Sequence, residues 1–116
     1  MNESELLEQL KAPNWHVRQA AAQHQNATER VLRKAMGDVW SVRAAAAGNP
    51  NATANMLMVV LNDDHPDVRV AVVNNPNATE WVFKQAAIDE DERVRKAVAH
   101  NTRASTIVKS VGALGR

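Results

Sequence analysis

Four arginines recur along this 116-residue chain, Arg18, Arg43, Arg69 and Arg95, each directly after a valine, at intervals of 25, 26 and 26. A guanidinium stays charged and presents a planar fork of donors that fits a carboxylate or a phosphate. An acid stands five residues ahead of three of them, at Asp38, Asp64 and Glu90. Two chemistries fit this pattern. The arginines could form a ladder of ion pairs that fixes neighbouring segments, or line a groove that contacts phosphates or an acidic partner. Strict repetition favours the ladder, because a scaffold role recurs with the unit and a binding site need not.

The other polar residues offer less. His16, His65 and His100 fall at different places in the pattern, and no pair has the i, i+4 spacing of a helical metal site. His24 is expected to make a turn hydrogen bond. The acidic runs around Asp63-Asp64 and Asp89–Glu92 lack the glycine and ligand alternation of a calcium loop. They suit solvated positions ahead of helix starts. Without cysteine, thiolate catalysis, disulfides, Cys-ligated zinc and iron–sulfur clusters are excluded. No nucleophile triad, glycine-rich phosphate loop or pair of pocketed carboxylates is visible, so the chain reads as a non-enzyme with no cofactor and no metal.

Composition points the same way. Alanine dominates the apolar residues, with one Phe and four Gly, which favours helices that approach closely. A net charge of +1 lacks the basic excess of a dedicated nucleic-acid binder. The N-terminus has no signal-peptide pattern and no stretch approaches a membrane span, so a cytoplasmic protein with no membrane partner is expected.

The elements that position these residues follow from the repeat. Counting from Val17, Val42, Val68 and Val94, a polar position follows at His24, Asn49, Asn75 and Asn101. Alanine then follows at Ala27, Ala52, Ala78 and Ala104, and Thr28, Thr53, Thr79 and Ser105 come next. Each copy holds two short helices. The first carries Val-Arg and an alanine- and valine-rich stretch, and ends at the polar position. Proline reinforces the stop at Asn49-Pro50 and Asn75-Pro76. The second starts at Asn-Ala-Thr, where Asn26 and Asn77 are expected to cap it with Glu29 and Glu80 completing a capping box. Asn26, Asn51 and Asn77 also stand in glycosylation sequons, but capping explains the spacing and glycosylation does not. Buried stripes are expected at Val31/Leu32/Ala35, Met56/Leu57/Val60 and Val82/Phe83/Ala86, with Leu6, Leu7 and Leu10 as their counterparts.

Neither helix can bury its apolar face alone, so the copies must stack. The expected fold is one all-α domain, an α-solenoid of four two-helix repeats with an N-terminal capping helix. Its boundaries are residues 1–12 for the cap, then 13–37, 38–63, 64–89 and 90–116.

The unit "DDHPDVRVAVVNNPNATEWVFKQAAID" resembles the leucine-rich repeat variant family, best at Asp64, Val68, Arg69, Val72, Asn75, Pro76, Val82 and Phe83. The resemblance spans essentially the whole chain and implies alternating short α- and 3₁₀-helices in a right-handed superhelix. The unit is longer here than is typical of that family, which allows the first helix to be a full α-helix. The cysteine cluster of some members is absent. HEAT-like helical repeats are the close alternative and imply the same class of solenoid.

Differences between copies say more about partners than the shared positions do. The outward positions of the second helix read Arg30, Arg33 and Lys34, then Asn55, Met58 and Val59, then Trp81, Lys84 and Gln85, then Ile107, Ser110 and Val111. A basic start that gives way to an apolar stretch suits a contact surface for another protein, with self-association as its counterpart. Trp81, Met58, Val59, Ile107, Arg30, Arg33 and Lys34 are the candidate residues. Nucleic-acid binding through the Arg positions and the basic first copy is the rival reading. Trp15 and Trp40 are expected to fill grooves between successive copies.

Overall fold

The structure is a computed structural model and describes residues 1–104 and 106. Eight α-helices lie among them: α1 (Glu3–Gln9), α2 (Trp15–Gln23), α3 (Glu29–Ala35), α4 (Trp40–Gly48), α5 (Ala54–Val60), α6 (Pro66–Asn74), α7 (Glu80–Ala86) and α8 (Glu92–His100). A further helical turn begins at Thr102, and no strand occurs among the described residues. No helix is long and apolar enough to cross a membrane. The expected outward residues Ile107, Ser110 and Val111 lie outside the described residues.

The even-numbered helices form one layer, with α2 against α4, α4 against α6 and α6 against α8. The odd-numbered helices pack onto them, and α1 also packs on α3, as α5 does on α7. The assembly is elongated, 52 × 24 × 19 Å. Alanine explains the closeness of the even layer. Ala21, Ala22, Ala45, Ala46 and Ala47 are buried there, and a methyl group lets backbones approach. The odd helices supply the bulk: Val31, Leu32, Leu57, Val82 and Phe83 are fully buried, with Leu6 in the same role on α1. Val42, Val68 and Val94 are fully buried, whereas Val17 is 37% exposed. Within the chain, α2 has no helix of its own layer before it to cover that residue.

Every described helix is α, so the 3₁₀ alternation that the family resemblance implied is not found. Seven residues suffice, because α3 and α5 close regular bonds at their ends, from the Leu32 N–H to the Thr28 carbonyl and from the Leu61 N–H to the Leu57 carbonyl, each 3.0 Å.

The threonine of Asn-Ala-Thr, and not the asparagine, is the N-cap. Thr28 accepts from the Val31 N–H at 3.4 Å and Thr53 from the Met56 N–H at 3.2 Å. Thr79 has the same extended backbone but makes no such bond, and its hydroxyl is buried without a partner among the described residues. A capping box is found two helices before the first place expected for it. It is on α1, where Asn2 accepts from the Glu5 N–H and the Glu5 carboxylate accepts from the Asn2 N–H.

The asparagines work between copies instead. Asn75 is 1% exposed. Its amide donates to the carbonyls of Ala47 at 2.7 Å and Asn49 at 2.9 Å, while its oxygen accepts from the Asn77 N–H at 2.8 Å. Asn49 makes the same three bonds one copy earlier, to the carbonyls of Ala22 and His24 and from the Asn51 N–H. Asn101 donates to the Val73 carbonyl at 3.2 Å. These acceptors lie at the C-terminal ends of α2, α4 and α6, where the Ala22, Ala47 and Val73 carbonyls are among those the helix leaves free, while those of His24 and Asn49 also accept the Ala27 and Ala52 N–H. A second row lies nearer the surface. Asn51 donates to Gln25 and Ala27 carbonyls, and Asn77 to those of Pro50 and Ala52. Asn26 reaches the Met1 carbonyl at 3.0 Å. His24 stands where the buried row would begin and accepts the Asn26 N–H at Nδ1, the turn bond expected of it.

Removing a buried donor costs most when its acceptors cannot reach water. Asn75→Ala should therefore lower stability by about 2–3 kcal/mol, measured by urea denaturation. Thr53→Val should cost about 1 kcal/mol for the lost cap. Thr79→Val should be neutral or stabilising, because it removes a buried hydroxyl that has no partner.

Candidate functional site

The arginines engage acids in a fixed geometry. Arg18 donates from Nε to Asp38 Oδ2 at 2.9 Å and from Nη2 to Oδ1 at 3.1 Å. Arg43 makes the same pair of bonds to Asp63 at 2.8 and 3.0 Å, and Arg69 to Asp89 at 2.9 and 3.1 Å. The remaining donor, Nη1, goes to a main-chain carbonyl ahead of the helix. It reaches Ala12 from Arg18, Asp38 from Arg43, Asp63 from Arg69 and Asp89 from Arg95, at 2.6 to 2.8 Å. Each aspartate thus takes one arginine on its carboxylate and the next on its carbonyl. A continuous chain runs from Arg18 through Asp38, Arg43, Asp63, Arg69 and Asp89 to Arg95.

The partners differ from the sequence expectation in two of three places. Asp38 belongs to the ladder, but Asp64 is almost fully exposed and reaches it from outside, at 3.3 Å from Arg43. Among the described residues Glu90 makes no bond to the ladder; its neighbour Asp89 takes that place. The reason is a one-residue difference in copy length. Counting forward from each valine, Asp38, Asp63 and Asp89 share one position, whereas counting back from each arginine selects Asp64 and Glu90.

The ladder biases its own ionisation. Burial opposes the charge on Asp38, but the Arg18 hydrogen bonds, the Val39 N–H and the charges of Arg18 and Arg43 outweigh it and lower its pKa. Asp63 is likewise lowered, with burial outweighed by Arg43 and the His65 N–H. Arg43 is pushed up, chiefly by its hydrogen bonds to Asp63.

The outward residues of the second helices lie apart from the ladder. Trp81 is 42% exposed, Val59 72% and Met58 37%, and Ile88, beyond α7, is 80% exposed. Arg30 pairs with Glu3 at 3.3 Å, and Arg33 pairs with Glu29 on its own helix at 2.6 Å. Lys34 has no ion pair among the described residues. A cleft of about 340 Å³ opens between α3 and α5, lined by Arg33, Met36, Asn55, Met56, Val59 and Val60.

Trp15 and Trp40 border the groove between copies rather than filling it; both are nearly half exposed. Trp40 stacks on the ring of His65 at 4.2 Å between centroids, and Trp15 on that of His16 at 3.6 Å. With Val39, Gln19 and Gln23 they line a shallow groove of about 630 Å³ on the even-helix face. The sequence held a signal for this. Each tryptophan stands two residues before its valine, and residues two apart do not share a helix face. Ile88 was missed because it follows the helix and belongs to no periodic stripe. No group of three or more His, Asp or Glu among the described residues is placed to hold a metal ion.

No protein-family model, curated protein or solved structure matches the chain.

The ladder predicts a graded series. Arg69 is 7% exposed, so Arg69→Ala should lose about 3 kcal/mol by stranding Asp89. Arg95 is exposed and among the described residues donates to a carbonyl alone, so Arg95→Ala should stay within about 1 kcal/mol. Lowered carboxyl pKa values stabilise the fold above the unfolded value and lose that effect as pH falls through the folded one. Stability should therefore hold from neutral pH to about 5 and decline below about pH 4. Asp38→Asn with Asp63→Asn should flatten the decline, as followed by circular dichroism.

Proposed function

We propose that the chain is a non-catalytic helical-repeat scaffold, a right-handed α-solenoid of the kind its sequence unit resembles, which binds another protein through the outward face of α3, α5 and α7. The observation that carries this reading is the division of labour among side chains. The polar residues that recur in every copy are consumed by bonds between copies, and the large exposed apolar residues of α5 and α7 occupy positions that differ from copy to copy. A fold does not require Trp81 or Val59 in those places. Exposed aromatic and aliphatic residues grouped on one face suit a protein contact.

The same observation weighs against nucleic acid as the partner. Arg18, Arg43 and Arg69 have all three sets of donors engaged, and Arg30 and Arg33 already carry carboxylates. A phosphate on those three ladder arginines would have to displace their bonds. Self-association through the same face is the counterpart that sedimentation of the purified chain distinguishes.

Affinity capture from source-cell lysate, with and without nuclease, tests the reading. A captured protein should survive nuclease and be lost with Trp81→Ala. That variant should keep its stability within about 1 kcal/mol, as for an exposed site, while binding weakens by about 2 kcal/mol or more. Capture that depends on nucleic acid, or a Trp81→Ala chain that melts many degrees lower, would overturn it.

A further inference from the structure

We infer that the cleft between α3 and α5 receives the apolar face of an acidic amphipathic helix from the partner. This inference rests on the protein-binding reading above and names the chemistry of what is bound.

The two walls of the cleft differ in charge. The α5 sequence, ANMLMVV, carries no charged residue, and its Met56, Val59 and Val60 give the cleft an apolar side. The α3 sequence, ERVLRKA, sets one acid against three bases. Arg33 lines the cleft itself and also borders the surface of Glu3, Thr28, Glu29, Arg30 and Lys34 on the other flank of α3. Glu29 occupies only Nε and Nη2 of Arg33, both through one oxygen, so Nη1 faces no acceptor among the described residues. Lys34, one residue on, has no carboxylate partner among them either. An incoming carboxylate can bond to Arg33 Nη1 at the cleft without breaking the fold's own pairs, and Lys34, on the other flank of α3, adds positive charge nearby.

The fold holds a precedent for such a guest. On the opposite flank of α3 lies α1, a helix with Glu3, Glu5 and Glu8 on its outside and Leu6 fully buried. Glu3 accepts from the Thr28 hydroxyl at 2.7 Å and from Arg30 at 3.3 Å. Thus α3 already holds one acidic amphipathic helix by an apolar anchor and a carboxylate on its basic edge. The cleft offers the same two elements, a methionine- and valine-lined recess and a basic edge, with no helix in it. Methionine suits a recess that must accept side chains of varied shape. A helix laid into such a groove reads out as anchors at i, i+4 and i+7.

The probe is a helix-stapled peptide of about four turns with leucines at i, i+4 and i+7 and glutamates between them. A charge-reversed version carries lysines in place of the glutamates. Fluorescence anisotropy with the intact chain should show the acidic peptide binding at least about tenfold more tightly than the basic one, a difference of about 1.4 kcal/mol. Val59→Asp should abolish binding of the acidic peptide. Arg33→Glu combined with Lys34→Glu should reverse the preference between peptides, and both variants should melt near the wild type because the residues are exposed. Trp15→Ala, on the other groove, should bind as the wild type does. Equal affinity for both peptides, no binding of either, or a loss caused by Trp15→Ala would overturn the proposal. If the peptides fail while Trp81-dependent capture of a cell protein persists, the cleft inference falls alone. If both fail, the protein-binding reading falls with it.

Discussion

A helix whose C-terminal end is packed beneath a neighbour must find donors for carbonyls that its own turns leave free. Here α2, α4 and α6 all end against the next copy, so the same need arises three times at the same depth. The asparagine amide meets it. At Asn49 and Asn75 its two hydrogens span a pair of carbonyls on the copy before and its oxygen takes an N–H two residues on, while Asn101 donates to the Val73 carbonyl. Leucine at position 75 would leave the Ala47 carbonyl and the Asn77 N–H without a partner and the Asn49 carbonyl with its Ala52 N–H bond alone, and serine could not reach both carbonyls. The polar position is therefore as much a part of the core as the valines that flank it. It also fixes how far one copy is displaced from the next, which close packing of alanine faces alone would leave free to slide.

The arginine–aspartate chain answers the matching problem at the N-terminal ends of α2, α4, α6 and α8. There the guanidinium binds a carbonyl ahead of the helix and a carboxylate that begins the next connection. Bidentate pairing sets the orientation as well as the distance, which a lysine ammonium would not do. One copy is thus held at both ends of its first helix, by neutral amides at one end and by charged pairs at the other. An ion pair contributes modestly in net terms, because desolvation opposes it. Its weight lies in registry. The charge that remains for recognition falls on the second helices, where Arg30, Arg33 and Lys34 are exposed and differ from their counterparts in later copies.

Much of this was legible in the sequence because periodic burial leaves a periodic signal. The two helices per copy, their stripes at Val31/Leu32/Ala35 and Val82/Phe83/Ala86, and the arginine ladder all follow from spacing. Interactions that cross copies were harder to read. Asn-Ala-Thr signals a helix start, yet two of its residues can cap, and only the position of the neighbouring copy assigns the asparagine elsewhere. Asp64 was favoured over Asp63 because the copies differ in length by one residue, so the direction of counting decides the partner. Trp15 and Trp40 were misplaced for want of a face argument, since large aromatics invite burial by size alone. Of the candidate surface, Trp81, Met58 and Val59 could be read as departures from the repeat. The cleft beside them could not, because it depends on how α3 and α5 diverge.

Arg103 shows which property the shallow polar row preserves. It stands where Asn26, Asn51 and Asn77 stand in the other copies, yet it donates to the carbonyls of Pro76 at 2.8 Å and Ala78 at 2.8 Å, as Asn77 does to those of Pro50 and Ala52. The two residues share little beyond two donors that diverge from one planar group. Arginine is longer, and the extra length lets its guanidinium lie over the Phe83 ring at 5.6 Å while still reaching back. What is constrained is a pair of acceptors on the preceding copy, and any side chain that can address both from the surface satisfies it. The buried row leaves no such freedom at Asn49 and Asn75, because a longer or charged donor would have to be desolvated where no counter-charge exists. Depth, rather than the hydrogen-bond pattern, decides which of the two rows can vary.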